Sequence, residues 1–75
     1  MEIKPGTYKH YKGNLYEVIG VGRHSETLEE MVLYRALYAS NEYEKGSLWV
    51  RPLHLFNEFV TVEGEKRPRF ERVKT

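Results

Sequence analysis

Seventy-five residues without a cysteine leave room for one domain and one core, and exclude disulfides and thiolate metal sites as its supports. Twelve basic against eleven acidic side chains give a formal net charge of +1, which argues against a strong sequence-independent nucleic-acid binder, because such binding is driven by basic excess. What the composition offers instead is aromatic packing: six Tyr, three Phe and one Trp, each able to bury ~150–250 Å².

The first elements are the clearest. Pro5 and Gly6 open a turn, and residues 7–11 follow with strand-like composition. Lys12, Gly13 and Asn14 read as a second turn. Residues 15–21 are the best strand, because β-branched and aromatic side chains cluster there, so the two segments predict a β-hairpin. Residues 20–27 then turn small, polar and flexible.

Residues 30–39 are ambiguous. Thr27 with Glu30 matches a capping box, and Leu28, Met31, Val32 and Ala36 fall on one helical face. Val32, Tyr34, Ala36 and Tyr38, with Leu33 and Leu37, equally suit a strand buried on both faces, which composition favours. Residues 40–46 form a polar connection ending in glycine. Residues 48–51 are a short strand stopped by Pro52, and residues 53–56 are expected to form one helical or 3₁₀ turn. Residues 59–62 are strand-like, Glu63 and Gly64 make a turn, and residues 69–73 are expected to close the sheet. Five or six short strands at this spacing predict a small barrel or rolled sheet.

Charge is unevenly spread. Glu26, Glu29, Glu30, Glu42 and Glu44 outnumber Arg35 and Lys45, whereas Lys66, Arg67, Arg69, Arg72 and Lys74 make the last segment basic. Residues 1–5 lack the apolar run of a signal peptide, and no stretch approaches the ~20 apolar residues of a membrane span. The expected location is the cytoplasm, without membrane contact.

Several chemistries find little support. Gly20 and Gly22 begin a dinucleotide fingerprint, but Ser25 stands at the third glycine and the chain is too short for a doubly wound sheet. A milder reading has backbone amides of this loop, with Arg23, Ser25 and Thr27, cradling a small anion. His24 and Glu26, with His10, match no standard zinc spacing, so no metal or other cofactor is expected. No serine sits in a nucleophile elbow, and no catalytic residue is assigned.

Aromatics beside cations are the most suggestive pattern: Tyr8 with His10, Tyr34 with Arg35, Trp49 with Arg51, and Arg69 with Phe70. On small β domains such surfaces stack bases and pair phosphates. Trp49 and Arg51, two apart, project from one strand face. The competing reading is architectural: rings serve the core, and Arg35 finds a carboxylate such as Glu26. By the same reasoning Tyr16, Phe56, Phe59 and Phe70 are assigned to packing.

Over nearly its whole length the chain resembles a bacterial family known only as domain of unknown function 1653. The resemblance rests on Gly6, Tyr8, His10, Tyr11, Lys12, Gly13 and Tyr16, then on His24, Ser25, Glu26 and Thr27. It continues through Val32, Tyr34, Arg35, Leu37 and Tyr38, through Leu48, Trp49, Arg51, Pro52 and Phe56, and closes on Pro68, Arg69 and Phe70. It implies a mainly β fold with an SH3-like barrel, favours the strand reading of residues 32–38, and implies no activity.

The leading functional expectation is a non-catalytic module for a nucleic acid or nucleotide-like anion. Its candidate contacts are Arg23, His24, Ser25, Glu26, Thr27, Tyr34, Arg35, Trp49, Arg51 and Arg69. One alternative is a small enzyme using His24 and Glu26 as base and orienter. Another is a protein-interaction or oligomerisation module presenting an aromatic patch.

Overall fold

The structure, a computed structural model, describes residues 3–39 and 44–73. Strand β1 (Gly6–His10) and strand β2 (Leu15–Arg23) form the expected hairpin, with Tyr8 opposite Tyr16. The turn between them is tight: the Gly13 amide donates to the His10 carbonyl at 2.7 Å and the His10 amide to the Asn14 carbonyl at 2.8 Å. Gly13 takes φ 107°, a conformation that costs a side chain dearly and glycine little.

Strand β2 runs on through the two glycines rather than breaking at Gly20. It pairs with β3 (Glu30–Ala36) as far as Arg23 opposite Glu30, with a register shift between Val18 and Gly20. The extra residue, Ile19, makes a bulge, which lets the strand bend without ending. Of the backbone expected to hold an anion, residues 20–23 belong to the sheet and residues 24–27 form the turn beyond it.

Strand β3 resolves the helix–strand ambiguity. Val32, Tyr34 and Ala36 are buried, whereas Leu33 and Arg35 are exposed, so the strand is covered on one face and not, as expected, on both. Strand β4 (Leu48–Pro52) lies beside it, placing Trp49 opposite Tyr34 and Arg51 opposite Val32. The connection predicted over residues 40–46 lies partly outside the described residues. Past Pro52 the expected single helical turn forms as α1 (Leu53–Phe56).

The remaining strands correct the fold expected from sequence. A closed SH3-like barrel of five or six strands does not form. Seven strands divide into a five-stranded sheet, in which β7 (Phe70–Arg72) lies beyond β1 to give the order β4-β3-β2-β1-β7, and a separate hairpin of β5 (Phe59–Val62) with β6 (Glu65–Pro68). The physical reason lies at Arg69, between β6 and β7. In a regular antiparallel strand the N–H and C=O of one residue face the same neighbour. At Arg69 they part: its amide donates to the Glu58 carbonyl at 3.0 Å, and its carbonyl accepts from the Tyr11 amide at 2.9 Å. The chain thus leaves one sheet and joins the other at a single residue, so β7 caps the β1 edge and does not reach β4.

Between these layers sits the core of Tyr8, Val18, Val32, Tyr34, Phe56 and Phe70. Phe56 is its centre, only 2 % exposed and stacked on Phe70 with ring centroids 4.2 Å apart. Tyr8 and Tyr34 each meet Phe56 at 5.7 Å. Aromatic packing supplies what disulfides would otherwise give so short a chain. Phe59, assigned to packing from sequence, is instead 59 % exposed with the Lys66 ammonium 5.6 Å from its ring centre.

Candidate ligand-binding site

Register assembles one site from five strands. Tyr16 on β2 faces Ala36 on β3, and two residues back along β3 Tyr34 faces Trp49 on β4. Arg51 follows Trp49 on the same inward face of β4. His10 at the end of β1 lies opposite Phe70 on β7, their rings edge to face at 4.9 Å. These side chains, with Tyr38 just past β3, border a pocket of about 420 Å³.

The walls are flat rings meeting at steep angles. Tyr16 stands edge-on to Tyr34 at 5.3 Å, to Tyr38 at 5.5 Å and to Phe70 at 5.6 Å. The Tyr16 and Tyr38 hydroxyls share a hydrogen bond at 2.6 Å. Burial, reinforced by that bond, pushes the Tyr16 hydroxyl pKa well up, so it stays a neutral donor or acceptor. Tyr34 is also raised by burial, with the Arg51 guanidinium opposing. Trp49 Nε1 donates to Ser47 Oγ at 3.2 Å, which fixes the indole.

Charge in the pocket is one-sided among the described residues. Arg51 borders it, and none of the described bordering residues is acidic. Among the described residues, Arg51 enters no ion pair, and its Nε is buried with no hydrogen-bond partner. A guanidinium held against rings without a carboxylate is a fixed positive charge in a poorly solvated place. His10 adds no second charge. Its pKa is lowered by burial and then by Arg69, Lys12 and Arg51, and its Nδ1 accepts the Lys12 amide at 3.2 Å. The pocket therefore suits an anion with a flat body. It does not suit a quaternary ammonium, which rings alone would welcome but Arg51 repels.

Of the residues singled out from sequence, Tyr34, Trp49 and Arg51 meet here. Tyr34 is core at 7 % exposure, and Trp49 is half-buried against that core. The others go elsewhere. Arg35 points from the opposite face of β3, and its Nε lies 3.1 Å from Glu17 Oε1 across the sheet, so the partner is Glu17 and not Glu26. Arg69 is bound to Glu58 by Nη2 at 2.7 Å and lies with its guanidinium 5.8 Å from the Tyr11 ring centre.

Arg23, His24, Ser25, Glu26 and Thr27 lie at the far end of the β2–β3 hairpin and do not border the pocket. That loop satisfies itself. His24 Nδ1 accepts the amides of Glu26 and Thr27 at 3.2 and 3.3 Å. Thr27 Oγ1 accepts the Glu29 amide at 3.2 Å, and Arg23 Nη1 donates to the Leu28 carbonyl at 2.9 Å. The Ser25 hydroxyl donates to Glu26 Oε2. Glu26 Oε2 lies 3.5 Å from His24 Nδ1, on the nitrogen already taken up by amides. Among the described residues no group of three potential metal-ligating side chains occurs.

Sequence reasoning placed Tyr16 and Phe70 in the core and did not assign His10 or Tyr38 to a site. Their convergence depends on strand register, for which the only sequence signal was the alternation of Tyr8 with His10. No helix among the described residues is long and apolar enough to cross a membrane.

No match is found among the curated proteins. A crystal structure of a DUF1653 protein from Bordetella bronchiseptica is similar, with a TM-score of 0.84 and 38% sequence identity over 95% of this chain and 87% of that one. The family described as Protein of unknown function (DUF1653) matches residues 6–72. With the family pattern running through every strand described above, and a solved relative sharing the fold, the chain belongs to the DUF1653 family.

Proposed function

We propose that this domain is a non-catalytic binding module for a nucleotide-like anion or nucleic acid, held in the pocket of Tyr34, Trp49 and Arg51. The observation that carries the reading is Arg51: a half-buried guanidinium, its Nε without a hydrogen-bond partner, bordering an aromatic pocket with no acid among its described walls. An anionic group would supply the missing counter-charge, and a base or similar flat ring would lie against Trp49. A pocket of about 420 Å³ falls within the ~300–1,000 Å³ usual for small-molecule sites. The small net charge fits a module whose affinity comes from one site rather than from a basic surface.

The enzyme reading lacks comparable support, since His24 and Glu26 sit at the hairpin tip and are engaged with their own loop. We place the module in the cytoplasm, on the same reading of its ligand.

An NMR titration with nucleoside monophosphates, inorganic phosphate and nucleosides tests the proposal. Shifts should centre on Tyr34, Trp49 and Arg51, and monophosphates should bind more tightly than either nucleosides or phosphate alone. Affinity should fall with salt, and Arg51→Met should weaken binding at least about tenfold. Absence of binding at low salt, or binding indifferent to Arg51→Met, would overturn the reading.

A further inference from the structure

The binding pocket has a neighbour. A second concavity, of about 350 Å³, is bordered by Lys9, Tyr11, Arg67 and Glu71 among others, and His10 borders both. Tyr11 is 38 % exposed, and its ring lies 4.6 Å from that of His10, tilted by 34°. Two cations attend it. Lys12 Nζ and the Arg69 guanidinium each lie 5.8 Å from the Tyr11 ring centre.

This second platform differs from the first in exposure. Tyr34 is buried and Trp49 half-buried in the walls of the first, whereas Tyr11 is an exposed ring beside two cations. Arg69 is held near the ring by Glu58, and Lys12 extends over it from the β1–β2 turn. The acids nearby are already engaged or matched. Glu65 lies 3.7 Å from Arg67, and Glu71 is the cross-strand neighbour of Lys9. Between the two platforms sits His10, on which Arg69, Lys12 and Arg51 all act electrostatically. The cations of both platforms thus converge on the ground between them.

Resting on the proposed reading of the Trp49 pocket, we propose that the ligand is single-stranded nucleic acid read over two successive nucleotides. One base enters the Tyr34–Trp49–Arg51 pocket, the next stacks on Tyr11, and the phosphate joining them lies over His10 between Arg51 and the Lys12–Arg69 pair. Stacking is indifferent to base identity, because each base has a π-face, and the shared backbone chemistry admits RNA or DNA. The 2′-hydroxyl is what would separate the two.

The experiment compares a nucleoside monophosphate, a dinucleotide with a 5′-phosphate, and a single-stranded hexamer, the last two as RNA and as DNA, at low salt. Amide shifts at Tyr11 and Trp49 and dissociation constants are read for the native protein and for Tyr11→Ala and Lys12→Ala. Both variants change exposed positions and leave the backbone pairing of β1 in place. The dinucleotide should bind at least about tenfold more tightly than the monophosphate and shift both Tyr11 and Trp49. Tyr11→Ala should erase that gain while leaving monophosphate affinity unchanged, and Lys12→Ala should reduce the gain and its salt dependence.

A dinucleotide no tighter than the monophosphate overturns the two-nucleotide site and leaves the single pocket standing. So does a gain that survives both variants. If none of the ligands binds, the reading of the pocket itself fails, and the extension with it. Tighter binding of the RNA series assigns RNA as the source, the reverse assigns DNA, and either supports the site.

Discussion

Arg69 and Glu58 are joined twice: the Arg69 amide donates to the Glu58 carbonyl at 3.0 Å, and Arg69 Nη2 donates to Glu58 Oε1 at 2.7 Å. The backbone bond ties β7 to the β5–β6 hairpin, and the side-chain bond locks the residue at which the chain changes sheets. The side chains are 22 % and 39 % exposed, so solvent screens the ion pair only in part. Glu58→Ala should cost about 1 kcal/mol in urea unfolding, and Glu58→Gln, which keeps an acceptor, less. Glu65→Ala serves as the control, because its contact with Arg67 is longer at 3.7 Å and well exposed. Equal effects of Glu58→Ala and Glu65→Ala would show that the double tie is not special.

Arg51 should respond in the opposite way. It is half-buried without an ion pair among the described residues, and its Nε has no hydrogen-bond partner. Replacing such a charge by an apolar side chain of similar length removes a desolvation cost that no carboxylate among the described residues offsets. Arg51→Met should therefore leave the urea midpoint unchanged or raise it, even as it weakens ligand binding. A loss of more than about 1 kcal/mol would mean that Arg51 is an architectural residue and that its interaction with Tyr34 matters more than its charge.

These two arginines mark how far the sequence could be read. Trp49 and Arg51 lie two apart on a strand, so their shared face was legible without knowing what lay opposite. Arg35 was not: an arginine in an apolar run needs a carboxylate, but only the register of β2 with β3 selects Glu17. His10, Tyr16 and Tyr38 converge by the same kind of long-range pairing. The identity of residues 30–36 as a strand needed the burial of Val32, Tyr34 and Ala36, because both helical and extended periods fit the residues. The passage of the chain from one sheet to the other happens at one residue, Arg69, whose two backbone groups bond to different neighbours. A local pattern of apolar residues carries no information about that choice.

Phe56 shows the cost of building a small core from rings. It is 2 % exposed and contacts Phe70, Tyr8 and Tyr34, so removing its ring opens a cavity at the middle of the aromatic core. Phe56→Ala should cost about 3–5 kcal/mol, enough to unfold much of a domain this size at room temperature. Phe56→Leu should be milder and still fold. Circular dichroism melts of both variants check this, and an alanine variant melting within a few degrees of the native protein would remove Phe56 from the centre of the core.

The loop after β2 should prove a self-contained turn. His24 Nδ1 accepts two amides, so His24→Ala leaves those of Glu26 and Thr27 without their acceptor. Their hydrogen exchange should quicken, while affinity for any ligand of the Trp49 pocket stays unchanged. Glu26→Gln should alter neither binding nor stability measurably, since the Glu26 side chain is 77 % exposed. A drop in affinity with either variant would bring this loop back into the site.

His10 makes stability depend on pH in a defined direction. Burial, Arg69, Lys12 and Arg51 all lower its pKa in the folded chain from the ordinary 6.5. The unfolded chain therefore binds the proton more readily, and stability falls as protons are added. The contribution is complete above 6.5 and is lost as pH falls through the lower, folded value. Urea midpoints measured from pH 7.5 down to about 5 should decline more steeply for the native protein than for His10→Asn, whose carbonyl can still accept the Lys12 amide. An anion bound beside Arg51 would offset part of the positive field at His10, so ligand affinity should rise as the pH falls across the same interval. Parallel midpoint curves for the native and His10→Asn proteins would place His10 outside the acid response. Affinity that falls with pH instead would set the bound charge away from His10.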